Sequence, residues 1–337
     1  MLKSFVPMKK NIAIVAGGNS SEYVISINSA DQLASILDKE KYEVYTIIVK
    51  GTDWVVKSDS FCDVIVNKDD FSFSLNNQKT KFDCAFIIIH GTPGEDGKLQ
   101  GYFDTLKIPY TSSNTLASAI TFNKIFSKNY LKPFDIPLAK LVSIKRGDVV
   151  DADQIINITG LPCFVKPNCA GSSFGVTKVK EKEKLFEAIV EAFKEDDEVI
   201  IEEFLEGQEL TCGLFKTKRE SFIFPPTEII SKNEFFDFEA KYTAGMADEI
   251  TPANISEELT KEVQNLSSQI YDIFQLKGIV RVDYIYSKGK LYFMEVNTVP
   301  GMSAASIVPQ QINAAGYHIR DILSIIIEDS LERFNAQ

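Results

Sequence analysis

Histidine is nearly absent from this chain of 337 residues, which has only His90 and His318. The five cysteines (Cys62, Cys84, Cys163, Cys169, Cys212) are odd in number, scattered, and form no CxxC pair. Without clustered histidines or paired cysteines, a zinc ribbon, an iron–sulfur site and a disulfide scaffold are excluded, and reduced thiols in a cytoplasm are the simplest reading. Positive charge is short as well: Lys and Arg number 36 against 47 Asp and Glu, so the net charge is −11. Such a chain is a poor general partner for nucleic acid or an anionic membrane, although a local basic pocket for a small anion stays open. No apolar run is long enough to span a bilayer. Residues 12–16 stop at Gly17-Gly18, and no cleavage site for a secretion signal follows Lys9-Lys10. The GxGxxG dinucleotide fingerprint and the Walker phosphate loop are both missing. Met8, in a Met-Lys-Lys opening, is a second candidate start, which would leave residues 1–7 outside the fold.

What is present points to a folded protein of two or three domains. Hydrophobic residues make up 45% and charged residues 25%, ample for more than one core and too apolar for disorder. Residues 11–112 alternate strand-like runs (12–16, 42–49, 83–89) with a helix-like segment, 26–37. That alternation predicts an α/β fold, a parallel sheet with helices on both faces. Residues 115–131 read as one helix carrying Lys124 and Lys128. Strands are expected at 161–167 and 199–204, a charged helix at 180–194, and a long irregular segment at 231–254. An amphipathic helix follows at 255–274, then a hairpin of 278–286 with 291–296, and a closing helix at 317–334. The domain boundaries expected from this pattern are 1–112, 113–205 and 206–337.

Four polar constellations carry candidate chemistry. In the hairpin, Arg281 and Asp283 share a strand face, as do Glu295 and Asn297, because side chains alternate along a strand. An odd number of connecting residues would bring all four to one face and leave Val280, Val282, Met294 and Val296 on the other. Two carboxylates with an amide oxygen form a hard-oxygen site suited to Mg²⁺ or Mn²⁺ bridging phosphates. Arg281 beside them can neutralise an oxyanion; a solvated hairpin face with a chance ion pair is an equal alternative for these residues alone. The segment 164–175 combines Lys166 with a small-residue loop, Gly171-Ser172-Ser173, that lets backbone N–H groups approach phosphate. Glu22 follows Gly17-Gly18-Asn19-Ser20-Ser21 and either caps a helix by its charge or grips an ammonium group. His90-Gly91 precedes Gly94-Glu95-Asp96-Gly97, a polar loop shaped more for a ligand than for a core.

The order and wording of these segments, with Ile108-Pro109-Tyr110-Thr111, Glu239-Ala240-Lys241-Tyr242 and Glu295-Val296-Asn297-Thr298-Val299-Pro300-Gly301-Met302, resemble the D-alanine–D-alanine ligases of the ATP-grasp superfamily. The resemblance runs from Gly17 to about Gly316. It implies a substrate domain followed by two ATP-grasp lobes, and ligation of two D-alanines through an acyl phosphate for peptidoglycan precursors. It implies that Glu22 holds the first ammonium group, and that Glu22, Ser172 and Tyr242 form a triad closing a lid over the site. It assigns Lys124, Lys166 and Lys241 to ATP, Glu202, Phe204 and Leu205 to its adenine, and Glu209 to its ribose. Asp283, Glu295 and Asn297 would hold two Mg²⁺ (or Mn²⁺). Arg281 and the Gly301 N–H would stabilise the tetrahedral oxyanion, and Ser306 and His90 would serve the second D-alanine. A cytoplasmic homodimer is implied. The chain departs from the family's usual residues at Asn123, Glu203, Ala305 and Ile307, while Tyr242 points to D-alanine rather than D-lactate as acceptor. Another ATP-grasp carboxylate–amine ligase and a non-enzymatic ATP-binding protein remain as alternatives. The intact Arg281, Asp283, Glu295 and Asn297 set speaks against the latter.

Overall fold

The computed structural model describes residues 8–57, 63–169, 171, 174–231 and 247–335. The N-terminal unit contains β1 (Lys10–Gly17), α1 (Tyr23–Ile36), β2 (Tyr42–Lys50), β3 (Asp53–Lys57), β4 (Val64–Ile65), β5 (Ser72–Leu75), β6 (Gln78–Lys81), β7 (Cys84–Ile87) and α2 (Lys98–Leu106). Its main sheet has the order β4-β3-β2-β1-β7. β1 lies parallel to both β2 and β7, whereas β3 and β4 add an antiparallel edge. Ile12 to Ala16 of β1 are 0% exposed, because a central parallel strand is covered on both faces. Gly17 ends β1 and His90 follows β7, so both loops lie at the carboxyl ends of parallel strands, where such sheets bind ligands.

The helix expected over 115–131 is two helices, α3 (Thr115–Phe122) and α4 (Lys124–Leu131). Asn123 breaks it with extended backbone, and its side chain caps α4 by accepting the Phe126 N–H at 2.9 Å. Asn168 supports the same turn: its side-chain oxygen accepts the Ile125 N–H at 3.0 Å. The glycine loop therefore holds the start of the helix that carries Lys124.

The central unit is a four-stranded antiparallel sheet, formed by β8 (Leu141–Lys145), α5 (Ala152–Thr159), β9 (Cys163–Pro167), β10 (Thr177–Val179), α6 (Leu185–Ala192) and β11 (Glu198–Glu203), in the order β10-β9-β11-β8. Its core joins Val165, Val199 and Ile201 to Ile155, Leu185 and Ile189. The C-terminal unit holds β12 (Gln208–Lys216), β13 (Ser221–Ile223), β14 (Thr227–Ser231), β15 (Ala247–Ile250), α7 (Glu257–Ile273), β16 (Val280–Ser287), β17 (Lys290–Asn297), α8 (Ile307–Ala314) and α9 (Ile319–Asn335). Its sheet runs β15-β14-β12-β16-β17, with β13 on β12. Part of the irregular segment expected at 231–254 is thus strand, since β15 pairs with β14 from Glu228–Ile250 to Ser231–Ala247. Residues 232–246 lie outside the described residues. α9 returns to the N-terminal sheet, where Glu328 accepts from Lys10 Nζ at 2.5 Å and from the Tyr42 hydroxyl at 3.0 Å. No described helix is long and apolar enough to cross a membrane.

Candidate active site

The hairpin of β16 and β17 turns on two residues, Lys288 (φ 50°) and Gly289 (φ 75°). An even turn of this kind alone would set Asp283 and Glu295 on opposite faces. A register shift between Asp283 and Tyr284 supplies the missing odd residue: Arg281 pairs with Asn297 and Asp283 with Glu295, while Tyr284 pairs with Phe293. The four functional side chains share one face for that reason. The same shift corrects the expected apolar face, because Met294 becomes the extra, half-buried residue and Phe293 (0% exposed) takes its place beside Val280, Val282 and Val296.

On the polar face, Arg281 grips Asp283 with two hydrogen bonds, Nε to Oδ1 at 2.8 Å and Nη2 to Oδ2 at 2.7 Å. Asn297 donates its Nδ2 to the same carboxylate at 2.9 Å, and the Thr211 hydroxyl donates at 2.5 Å from β12. The amide oxygen of Asn297 is thereby turned away from Asp283. Glu295 pairs with Lys124 Nζ at 3.3 Å. One turn along α4, on the same helix face, Lys128 meets Glu202 of β11, and Lys166 of β9 meets the other oxygen of that carboxylate. Burial raises the pKa of Glu202, but the two ammonium groups outweigh it and bring it down to about 2. An ion-pair chain thus runs from the carboxylates of the C-terminal sheet to the central sheet. Phe204 and Leu205 follow Glu202; the Phe204 ring packs 5.9 Å from that of Phe164 and takes Lys178 Nζ at 3.9 Å. Glu209 lies further along, on β12, opposite Ile285.

Glu22 stands at the N-cap position of α1 without a side-chain capping hydrogen bond, and is buried, 8% exposed. The glycine loop reaches it: a Cβ at Gly171 would stand 2.5 Å from Glu22 Oε2, and one at Gly91 would stand 3.6 Å away. Gly171 therefore leaves room for this carboxylate, while Gly91 is in ordinary contact range of it. Gly301 and Ser306 also adjoin, since a Cβ at Gly301 would stand 2.8 Å from Ser306 Oγ. Ser306 Oγ accepts the Ser303 N–H at 3.2 Å. Ser172, Lys241 and Tyr242 lie outside the described residues.

His90 and Glu95 hold the backbone of Val299 at its carbonyl and its N–H. The His90 Nδ1 bonds the Val299 carbonyl at 2.8 Å, and Glu95 accepts the Val299 N–H at 3.2 Å while its other oxygen accepts Gly91 N–H at 2.9 Å. Burial lowers the pKa of His90, so the neutral ring donates from Nδ1, which leaves buried Nε2 without a hydrogen-bond partner among the described residues. Asp96 accepts from Thr92 and Lys98 within its own loop. Burial, and then the charge of Glu22, raise the Glu95 pKa from 4.5 to about 8. A carboxyl raised in this way gains a proton on folding, so its contribution to stability is full below 4.5 and is lost as pH rises through about 8. We expect the melting temperature to fall between about pH 5 and about pH 8, and Glu95→Gln to flatten that fall. Parallel melting curves for the two proteins would show that Glu95 is not the titrating group.

Sequence reasoning assigned no role to Glu95, Lys128, Asn168 or Thr211. Lys128 had a legible signal, its four-residue spacing from Lys124. The others act through partners remote in sequence.

A sequence model described as "D-ala D-ala ligase N-terminus" matches residues 11–113, and one described as "D-ala D-ala ligase C-terminus" matches residues 130–328. A curated relative from Bacteroides fragilis, named D-alanine--D-alanine ligase, is 52% identical over 323 residues, covering 96% of this chain and 99% of its own. Among solved structures, the VanG D-Ala:D-Ser ligase from Enterococcus faecalis is 33% identical with a TM-score of 0.85, covering 96% of this chain and 100% of its own. The D-alanine--D-alanine ligase from Bacillus anthracis complexed with ATP is 31% identical with a TM-score of 0.78, over 97% of this chain and 99% of its own. With both halves matched and nearly the whole length shared, this chain belongs to the D-alanine–D-alanine ligase family.

Proposed function

We propose that this protein joins two D-alanine molecules into D-alanyl-D-alanine for peptidoglycan precursor synthesis, converting ATP to ADP and phosphate through an acyl phosphate. The observation that carries this reading is the bulge-aligned face of Arg281, Asp283, Glu295 and Asn297, joined by Lys124 and Lys128 to Glu202. A carboxylate and a triphosphate must meet here, and the face supplies both cations and metal-binding oxygens to cancel their charge. Glu22 holds the first D-alanine by its ammonium group. Lys124, Lys166 and Lys241 contact the phosphates, Glu202, Phe204 and Leu205 take the adenine, and Glu209 takes the ribose. Arg281 and the Gly301 N–H face the developing oxyanion. His90 and Ser306 position the second D-alanine, and Ser172 and Tyr242 complete the closure over Glu22.

The donor set fits Mg²⁺ or Mn²⁺. Among the described residues no three His, Cys, Asp or Glu side chains cluster, so a cage made of protein alone is absent. Two carboxylates and an amide oxygen suit an ion that completes its octahedron with water and substrate phosphates. Asp283, Glu295 and Asn297 would hold two such ions, which would neutralise phosphate charge. The family resemblance extends the proposal to a homodimer in the cytoplasm, with boundaries near 112 and 205.

The test is phosphate release from purified protein with ATP and each amino acid in turn. D-alanine should stimulate it strongly and yield the dipeptide. D-serine belongs in the same screen, because a neighbour of similar fold is a D-Ala:D-Ser ligase. Stimulation by an L-amino acid alone would overturn the proposal.

A further inference from the structure

Lys128 carries a charge into the interior yet takes no part in the reaction as proposed. Its side chain is 1% exposed and its ammonium rests on Glu202, itself 2% exposed. Burial lowers the pKa of Lys128, and Glu202 opposes that shift. A buried ion pair of this kind adds little net stability compared with apolar residues of similar shape, whereas losing one partner strands the other. Stability alone is therefore a weak reason for Lys128 to be there.

The geometry shows a different one. Glu202 is shared: Lys128 of α4 sits on Oε1 from inside, and Lys166 of β9, 12% exposed, sits on Oε2 from the open side. These are the charged groups that bear most on Glu202, and Glu295 of β17 is the next charge along, acting on Lys128. If Lys166 turns to a phosphate, Glu202 loses one of its two cations. A carboxylate so deeply buried and unpaired would take up a proton or move. Lys124, four residues earlier, is placed for the same exchange, because it rests on Glu295.

We propose that Lys128 is a positioning residue that keeps Glu202 ionised and in place when Lys166 leaves it for a nucleotide phosphate, freeing one Glu202 oxygen to accept the adenine amino group. The proposal rests on the assignment of Lys166 to phosphate and Glu202 to adenine. Nucleotide binding then becomes an exchange of anions around Lys166, with Lys128 as the fixed member.

The test uses the full chain with Lys128→Met, Lys166→Met and Glu202→Gln, each read by ADP binding and by the pH profile of kcat/KM for ATP. For Lys128→Met, ADP binding should weaken about tenfold or more, and KM for D-alanine should stay within about twofold. Its kcat/KM for ATP should fall toward acid at a higher pH than in the parent, because Glu202 has lost the cation that holds it ionised. Unchanged ADP affinity with a superimposed pH profile would overturn the proposal. If Lys166→Met and Glu202→Gln weaken ADP binding and Lys128→Met does not, only the proposal falls. If none of the three does, those residues are not nucleotide ligands and the proposal falls with them. Should Lys128→Met fail to fold, the double variant with Glu202→Gln decides. Equal ADP affinity in the double variant and in Glu202→Gln alone supports action through Glu202, and a further loss of about tenfold overturns it.

Discussion

Glu295→Gln should reduce D-alanine-dependent phosphate release by about a hundredfold or more, with secondary structure and melting behaviour close to those of the parent. The side chain is 30% exposed and its ion pair with Lys124 spans 3.3 Å, a partly solvated contact of small worth to the fold. Glutamine keeps the shape and can still accept from Lys124. What it removes is one of the two negative charges on the face that would hold the metal ions, which would supply several kcal/mol of charge stabilisation to the transition state. Remaining activity should require more Mg²⁺ for saturation. Near-parental phosphate release at ordinary Mg²⁺ would show that Glu295 is not a metal ligand.

Substrate handedness should depend on Glu22. A carboxylate–amine ligase holds its first amino acid at two ends, with the ammonium on an acid and the carboxylate facing phosphate. Glu22 is buried beneath Gly171 and Gly91, close enough that a Cβ at Gly171 would collide with it. With both ends fixed, the methyl group has one direction, and the wrong enantiomer must clash or leave a polar group unpaired. Size alone discriminates by roughly 1–3 kcal/mol, whereas an unpaired buried polar group rejects by far larger factors. D-alanine should therefore be strongly preferred to L-alanine and mildly preferred to D-serine. Glu22→Gln should raise KM for the first D-alanine by about tenfold or more while KM for ATP changes little. Equal rates with both enantiomers, or a defect confined to ATP, would exclude Glu22 as the ammonium ligand.

Local patterns carried much of the fold. The apolar run 12–16, the helical spacing after Ser256 and the paired runs around Lys288-Gly289 appear as β1, α7 and the β16–β17 hairpin. Each rests on a period of two or 3.6 residues, which neighbouring side chains alone can write. One alternating element escaped notice. β12 sits at the centre of its sheet with Leu210, Cys212 and Leu214 fully buried, and Thr211 and Gly213 between them are buried too, so polar and small residues stand where a strand covered on both faces usually carries apolar ones. The helix over 115–131 broke at Asn123 because a side-chain cap there competes with helix continuation.

The candidate site divides along the same line. Residue types in order along the chain, down to the paired Arg281-Val282-Asp283 and Glu295-Val296-Asn297, were enough to name the family and to propose oxygens for a metal. Which face those oxygens occupy was not legible, because strand register is set by hydrogen bonds between chains of residues, and one bulged residue, Met294, reverses the outcome. Nor could the sequence tell that His90 and Glu95 would close on Val299, more than 200 residues away, or that Glu202 would be held between Lys128 and Lys166. A buried charge is tolerated only where its partner arrives in three dimensions, so burial, protonation and pairing were decided together by the tertiary packing.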